Sequence, residues 1–389
     1  MTSRWVFVWL LVIFALTLMS PLSVATGDIA EEEEEIFKAS CSLCHELDRA
    51  RQKRLTRAEW EEMLKRMIEF GAQISGKKRE MILAYLVRTQ GPVEAPAAMA
   101  YVVNEKSEEV WVIDVATRKV QAKIKVGRLP HGIAASPDGK ALYVTNMGSD
   151  NITVINAETH EATPMGGAGR NPHECAVSPD GRFLYVSNPS SNTVTVHDMA
   201  THTPVAMIPV GRFPHGVAIS ADGAKVYVAN MDSDDISVID TLMDQVGSTI
   251  ETAAGPHKLA LSPDGKFLYV VNSDANRLSI IDVELERQVK SVLVGRAPYD
   301  VTVGTGGATV WVANSESDSV EAIDSRTGEV LATVAVTGSP HGLALTPDGK
   351  ELWVANIAAN TVAVVDLAQR KVVTVLPVGI RPHLVLIRP

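Results

Sequence analysis

From residue 98 onward the chain is a succession of short apolar segments separated by turn residues, and the pattern repeats. The tetrapeptide [YW]-V-x-N begins at Tyr101, Tyr143, Tyr185, Tyr227, Tyr269, Trp311 and Trp353, each start 42 residues after the one before. One copy, residues 131–168, reads H-G-I-A-A, a turn S-P-D-G, a strand A-L-Y-V-T-N, a strand I-T-V-I-N and a weaker fourth strand reaching Pro164. Pro and Asp-Gly set the tight backbone needed between antiparallel strands. The strands are nearly continuous in Val, Ile, Leu and Tyr, as expected where both faces of a sheet are buried. A period in the low forties with four short strands per copy predicts propeller blades, hence an all-β seven-bladed propeller over residues 98–389.

The ends of the array predict how the ring closes. Each Pro-His pair places its His twelve residues before a tetrapeptide, so the one at His383 would need a tetrapeptide at 395, beyond the 389 residues, while Tyr101 has no Pro-His before it. Residues 384–387 are therefore expected to supply the innermost strand of the blade begun by residues 98–126, which removes exposed sheet edges.

The N-terminal segment has a different pattern. After Arg4 an apolar run covers residues 5–19, followed by Pro21-Leu22-Ser23-Val24-Ala25. Small residues at 23 and 25 fit a signal peptidase, so residues 1–25 are expected to be a signal peptide and the product periplasmic. A retained anchor is the rival reading, but a spanning helix wants about 20 apolar residues. Beyond it, Glu31 to Glu35 precede Ile36 and Phe37, an acidic first helical turn that the helix dipole favours. Thr56 and Glu59 form a capping box opening a helix through about Phe70, and Ser75 caps another to about Thr89. A small all-α domain over residues 26–92, with a linker at 93–97, is the expectation.

Only three cysteines are present, Cys41, Cys44 and Cys175, too few for a disulfide framework. Residues 41–45 read C-S-L-C-H, the spacing that lets two thiols add to the vinyl groups of one haem while the following His ligates iron. No second Cys/His pair lies nearby to complete a zinc site. Cys175 occupies a position held elsewhere by Ile, Val or Leu and reads as a small core residue. The segment W-E-E-M-L-K-R-M-I-E-F-G-A, residues 60–72, resembles the distal-methionine region of the class I cytochromes c. That resemblance implies one covalent haem c held by Cys41, Cys44 and His45, with Met67 as sixth ligand; Met63 and Met81 remain open as alternatives. Residues Y-V-T-N at 143–146 with S-P-D-G at 136–139 resemble the YVTN family of propeller repeats, which implies the same seven-bladed fold.

A formal net charge of −10 and a pI near 5.5 exclude a nucleic-acid partner, since phosphate binding needs a basic patch. A periplasmic redox protein or a small-molecule substrate remains, and membrane contact only if the signal is retained. No nucleophilic triad, phosphate loop or paired acid site stands out.

One further pattern bears on chemistry. Six repeats place His directly after Pro at the start of the innermost strand, His131, His173, His215, His257, His341 and His383, and the seventh has Tyr299. Blade symmetry gathers these around the central channel, where neutral imidazoles would bind copper or another metal or a substrate, or would simply bond the adjacent blade. The next position is Gly132, Gly216 and Gly342 in three repeats but Glu174, Lys258, Asp300 and Leu384 in the others. The asparagines closing each tetrapeptide read as turn formers. The whole reads as an exported c-type cytochrome for electron transfer whose propeller binds a substrate, metal or redox partner; if it is an enzyme, it is a periplasmic oxidoreductase. The alternative is a propeller that serves only as a protein-binding or assembly module.

Overall fold

The computed structural model describes residues 34, 36–38, 57–69, 72, 74, 76–90 and 98–388. The expected signal segment, Cys41, Cys44, His45 and the expected linker at 93–97 lie outside the described residues. The chain divides into two compact units, Met1–Ala95 and Pro96–Pro389.

In the first unit, helix α1 (Arg57–Glu69) and helix α2 (Lys77–Gln90) enclose a core of Phe37, Trp60, Leu64, Ile74, Ile82, Tyr85 and Leu86. Phe37 stacks on Tyr85 with ring centroids 4.9 Å apart. Glu59 in the first turn of α1 and Arg66 in its last complement the helix dipole. Met63 and Met67, four residues apart on one face, pack half-buried against this core, as does Ile68. No helix among the described residues is long and apolar enough to cross a membrane.

The second unit is a ring of seven four-stranded antiparallel sheets. Blade 1 is closed by both ends of the array. Its innermost strand is Pro382–Arg388, hydrogen-bonded to Met99–Asn104, which continues to Glu109–Asp114 and Val120–Lys125. Closure is thus as the repeat arithmetic requires. Blades 2 to 7 follow in chain order from innermost strands starting at Pro130, Cys175, Pro214, Pro256, Pro298 and Pro340. The blade 3 strand is short, Cys175–Val177.

The core lies in the seams between blades. Each tetrapeptide strand is buried along nearly its whole length, and Tyr185, Tyr227, Tyr269 and Trp353 are among the largest fully buried side chains. One such seam joins Trp311, Val320 and Val334 of blade 6 to Leu343, Leu352 and Val365 of blade 7. The S-P-D-G turns are clamped from within. In the first, Ser136 Oγ donates to Asp138 Oδ1 (2.6 Å), Gly139 N–H donates to Ser136 O, and Gly139 takes φ +84°. The degenerate Gly304-Thr305-Gly306-Gly307 keeps the same turn with backbone alone, Gly307 N–H donating to Gly304 O at 2.7 Å.

The asparagines do more than turn the chain. They are buried, and their amides donate across the blade: Asn188 to Thr195 Oγ1 (2.9 Å), Asn230 to Ser237 Oγ (2.9 Å), Asn272 to Ser279 Oγ (2.8 Å). Each hydroxyl lies seven residues on, in the neighbouring strand, so the amide ties two strands where a turn former would face solvent. The same asparagine sits against a glycine in the preceding connection. A methyl group on Gly211 would meet Asn230 Cγ at 2.6 Å, whereas one on Gly166 would meet nothing within 4 Å. Gly211→Ala should therefore lower propeller stability by about 1–3 kcal/mol through overpacking, read from urea unfolding, while Gly166→Ala leaves it unchanged or slightly raised.

Candidate functional site

Each innermost strand begins at the channel, so the residue after Pro points to the axis from every blade. His131, His173, His215, His257, Tyr299, His341 and His383 meet there. Every pair of neighbours around the ring is in contact, with centroid separations from 3.7 Å for His215 and His257 to 5.6 Å for His341 and His383. Contacts also cross the ring, His131 to His215 at 5.1 Å and Tyr299 to His383 at 5.4 Å. The rings thus fill the channel, with His131 and His173 stacked at 4.5 Å and 16°. Separations of this size leave no gap for a substrate-sized molecule between them.

Hydrogen bonding is uneven. The Tyr299 hydroxyl and His383 Nε2 share a bond of 2.7 Å, and His257 Nδ1 faces Tyr299 O at 2.9 Å. His341 Nδ1 lies 3.2 Å from Ser339 O and 3.3 Å from Ser315 Oγ. By contrast, the Nδ1 atoms of His131, His173, His215 and His383 are buried without a partner. One ring nitrogen from each of His131, His173 and His215 lies within 4.8 Å of the others. Phe213, 36% exposed, stands edge-on to His173 with centroids 5.7 Å apart.

The residues after the ring make a second tier, with a logic hidden in the sequence. Glycine and a large residue alternate from blade to blade: Gly132 beside Glu174, Gly216 beside Lys258, Gly342 beside Leu384. A methyl group on these glycines would fall 3.0, 3.1 and 2.6 Å from the Cα of the large neighbour, so glycine is what lets the inner strands close up. Glu174 reaches past Gly216 to Lys258, Oε2 to Nζ 2.9 Å, with both side chains largely buried. Its other oxygen lies 3.5 Å from His131 Nδ1, and both atoms lack a hydrogen bond. Buried Asp300 is held by backbone N–H groups of Val301 and Leu343, each at 2.8 Å.

Electrostatics follow burial. Desolvation holds His257 down to about 3, with the Tyr299 carbonyl opposing, and His341 to about 4, with the Ser339 carbonyl opposing. His173 is likewise lowered by burial to about 4, against the pull of Glu174. His131, His215 and His383 lie well below their ordinary value, from burial first and neighbouring imidazoles second. Burial pushes the Tyr299 phenol well up, and it raises the Asp300 carboxyl against the pull of Lys258. For Lys258 burial works downward, but Glu174 and Asp300 together outweigh it and the net shift is upward. The ring is thus neutral above a wall of paired charge. Cys175 is buried with a free thiol, its Sγ 3.6 Å from Tyr143 O, and desolvation raises its pKa.

Of the other sequence candidates, Met67 and Met63 face the helical core, Met81 is half-buried on α2, and the C-S-L-C-H residues lie outside the described residues. The sequence gathered the imidazoles but gave no sign of the Glu174–Lys258 pair, whose partners are 84 residues apart with a blade between. Unfolded imidazoles take up protons near pH 6.5, while those of His173, His257 and His341 do so only near 3 to 4 when folded. Unfolding therefore binds protons as pH falls through that window, and stability drops by about 1.4 kcal/mol per pH unit for each imidazole affected. Urea midpoints in chelator-treated buffer should be level above pH 7 and decline steadily from 6.5 to 4; equal stability at pH 7.5 and 5 would contradict this.

Comparison with known proteins bears on the propeller. The YNCE-like beta-propeller family matches residues 182–302 and 301–388, together more than half of the 389 residues. No curated protein matches the chain. Among solved structures it is similar to hydrazine synthase of Kuenenia stuttgartiensis, 27% identical with a TM-score of 0.61, over 66% of this chain and 89% of that one. The periplasmic gluconolactonase PpgL of Pseudomonas aeruginosa is 19% identical with a TM-score of 0.64, over 75% of this chain and 99% of that one. Dihydro-heme d1 dehydrogenase NirN in complex with DHE is 17% identical with a TM-score of 0.58, over 79% of this chain and 75% of that one. The last two likenesses concern fold alone. With seven closed blades on a 42-residue period and a family match that runs from within blade 3 to the closing strand, the chain belongs to the YNCE-like beta-propeller family.

Proposed function

We propose that this chain is an exported c-type cytochrome that carries single electrons, its propeller serving as the surface on which a redox partner docks. The observation that carries this is C-S-L-C-H at residues 41–45, preceded by an apolar leader and followed by two helices with a core of their own. The donor set suits haem: two thiols for covalent attachment, one imidazole and a thioether. Bound haem would supply one-electron cycling at iron. Cys41 and Cys44 would tether the group, and His45 would be one iron ligand. Met67, half-buried against the helical core, would be a second, a soft, neutral sulfur that favours the ferrous state.

The propeller's share is argued from its channel. A catalytic version would bind substrate among the imidazoles, but the rings are in mutual contact. Docking on the outer surface needs no such space. Propellers of similar fold occur in proteins named hydrazine synthase and dihydro-heme d1 dehydrogenase, the second name being that of an oxidoreductase, in keeping with service beside a redox centre.

Full-length protein exported by a host that matures c-type cytochromes should carry one haem per chain that survives denaturation and reduces reversibly. Cys41→Ser with Cys44→Ser should abolish it, and free thiols with no bound haem in the parent chain would refute the reading. Met67→Ala should lower the reduction potential and abolish the spectrum of sulfur ligation, whereas Met63→Ala and Met81→Ala should leave both in place.

A further inference from the structure

We propose that His131, His173 and His215 form a binding site for one late first-row transition-metal ion, zinc(II) or copper(I), buried in the propeller channel. The assignment is independent of the haem.

Three observations converge. One ring nitrogen from each of the three imidazoles lies within 4.8 Å of the other two. An ion bonded to three nitrogens at about 2.0–2.1 Å holds them on the order of 3.5 Å apart, so binding would draw them closer than their present separations of up to 4.8 Å. Next, the three side chains are buried, 3 to 8% exposed, and the Nδ1 atom of each has no hydrogen-bond partner. Buried polar atoms in folded proteins are nearly always satisfied, so three together point to an occupant. Finally, the three donors stand on consecutive blades with their rings in mutual contact, centroids 4.5 Å apart for His131 and His173, 4.8 Å for His173 and His215 and 5.1 Å for His131 and His215.

The class of ion follows from the donors. Three neutral nitrogens suit zinc or copper, and hard cations such as magnesium prefer oxygen. The second tier completes the site. Glu174 Oε1, itself without a hydrogen-bond partner, lies 3.5 Å from His131 Nδ1 and sets carboxylate charge beside the ion. Lys258 holds the opposite oxygen and fixes the carboxylate.

The test uses the full chain, stripped with chelator, haem iron being counted separately. It is titrated with zinc(II) and, under anaerobic reducing conditions, with copper(I), using magnesium as the contrast. One zinc or copper per chain is expected, with a first shell of three imidazoles by X-ray absorption, a raised thermal midpoint and no response to magnesium. His173→Asn and His215→Asn should each lower affinity at least tenfold, while the surface variant His160→Asn with His202→Asn keeps it. Should the ring variants fail to fold, the absorption spectrum of the parent chain decides alone. Absence of a stoichiometric ion, a first shell of oxygen, or loss of binding in the surface variant would overturn the assignment.

Discussion

All that happens at the channel presupposes a closed ring, and closure rests on the pairing of Pro382–Arg388 with Met99–Asn104. A four-stranded blade has two apolar faces and cannot satisfy both alone, so it is stable only between neighbours. Were the first and last blades left unjoined, each would present a bare edge and a bare face to water. The circle also fixes how near the seven innermost strands approach the axis. That distance is what packs six imidazoles and a phenol against one another instead of leaving a pore.

From this closeness follow the unusual charges of the channel. Imidazoles shut away from water stay neutral because the loss of hydration outweighs the one counter-charge beside them, and the pull of Glu174 on His173, His257 and His383 only tempers the effect. One tier away, where real charges are buried, they come paired. Glu174 meets Lys258 directly, and Asp300 is held by two backbone N–H groups while attracting Lys258. Removing either member of the ion pair would strand the other in a dry place, at greater cost than the pair itself contributes.

Much of this was legible in the sequence. The 42-residue spacing of [YW]-V-x-N fixed blade number, the S-P-D-G turns marked strand boundaries, and the orphaned Pro-His at His383 foretold the closing strand. Blade symmetry alone brought the imidazoles together. What escaped was of two kinds. The asparagines read as turn residues because their type favours turns, whereas their burial and their hydroxyl partners seven residues on depend on the pleat of the finished sheet. The Glu174–Lys258 bond skips a whole blade, so no local pattern could reveal it. Blade symmetry brought the imidazoles to one axis but could not say how tightly they pack, because ring separation depends on how far the strands converge.

The alternation of glycine with bulk in the second tier has a consequence rooted in parity. An odd-numbered circle cannot alternate all the way round, so somewhere two glycines or two bulky side chains must be adjacent. Here the mismatch falls between blades 5 and 6, and the adjacent residues are Lys258 and Asp300, of opposite sign. The seven blades, so alike on their outer strands, are therefore not interchangeable. The propeller thus carries a fixed rotational phase, marked at the hub by the one place where two large residues of opposite sign are neighbours.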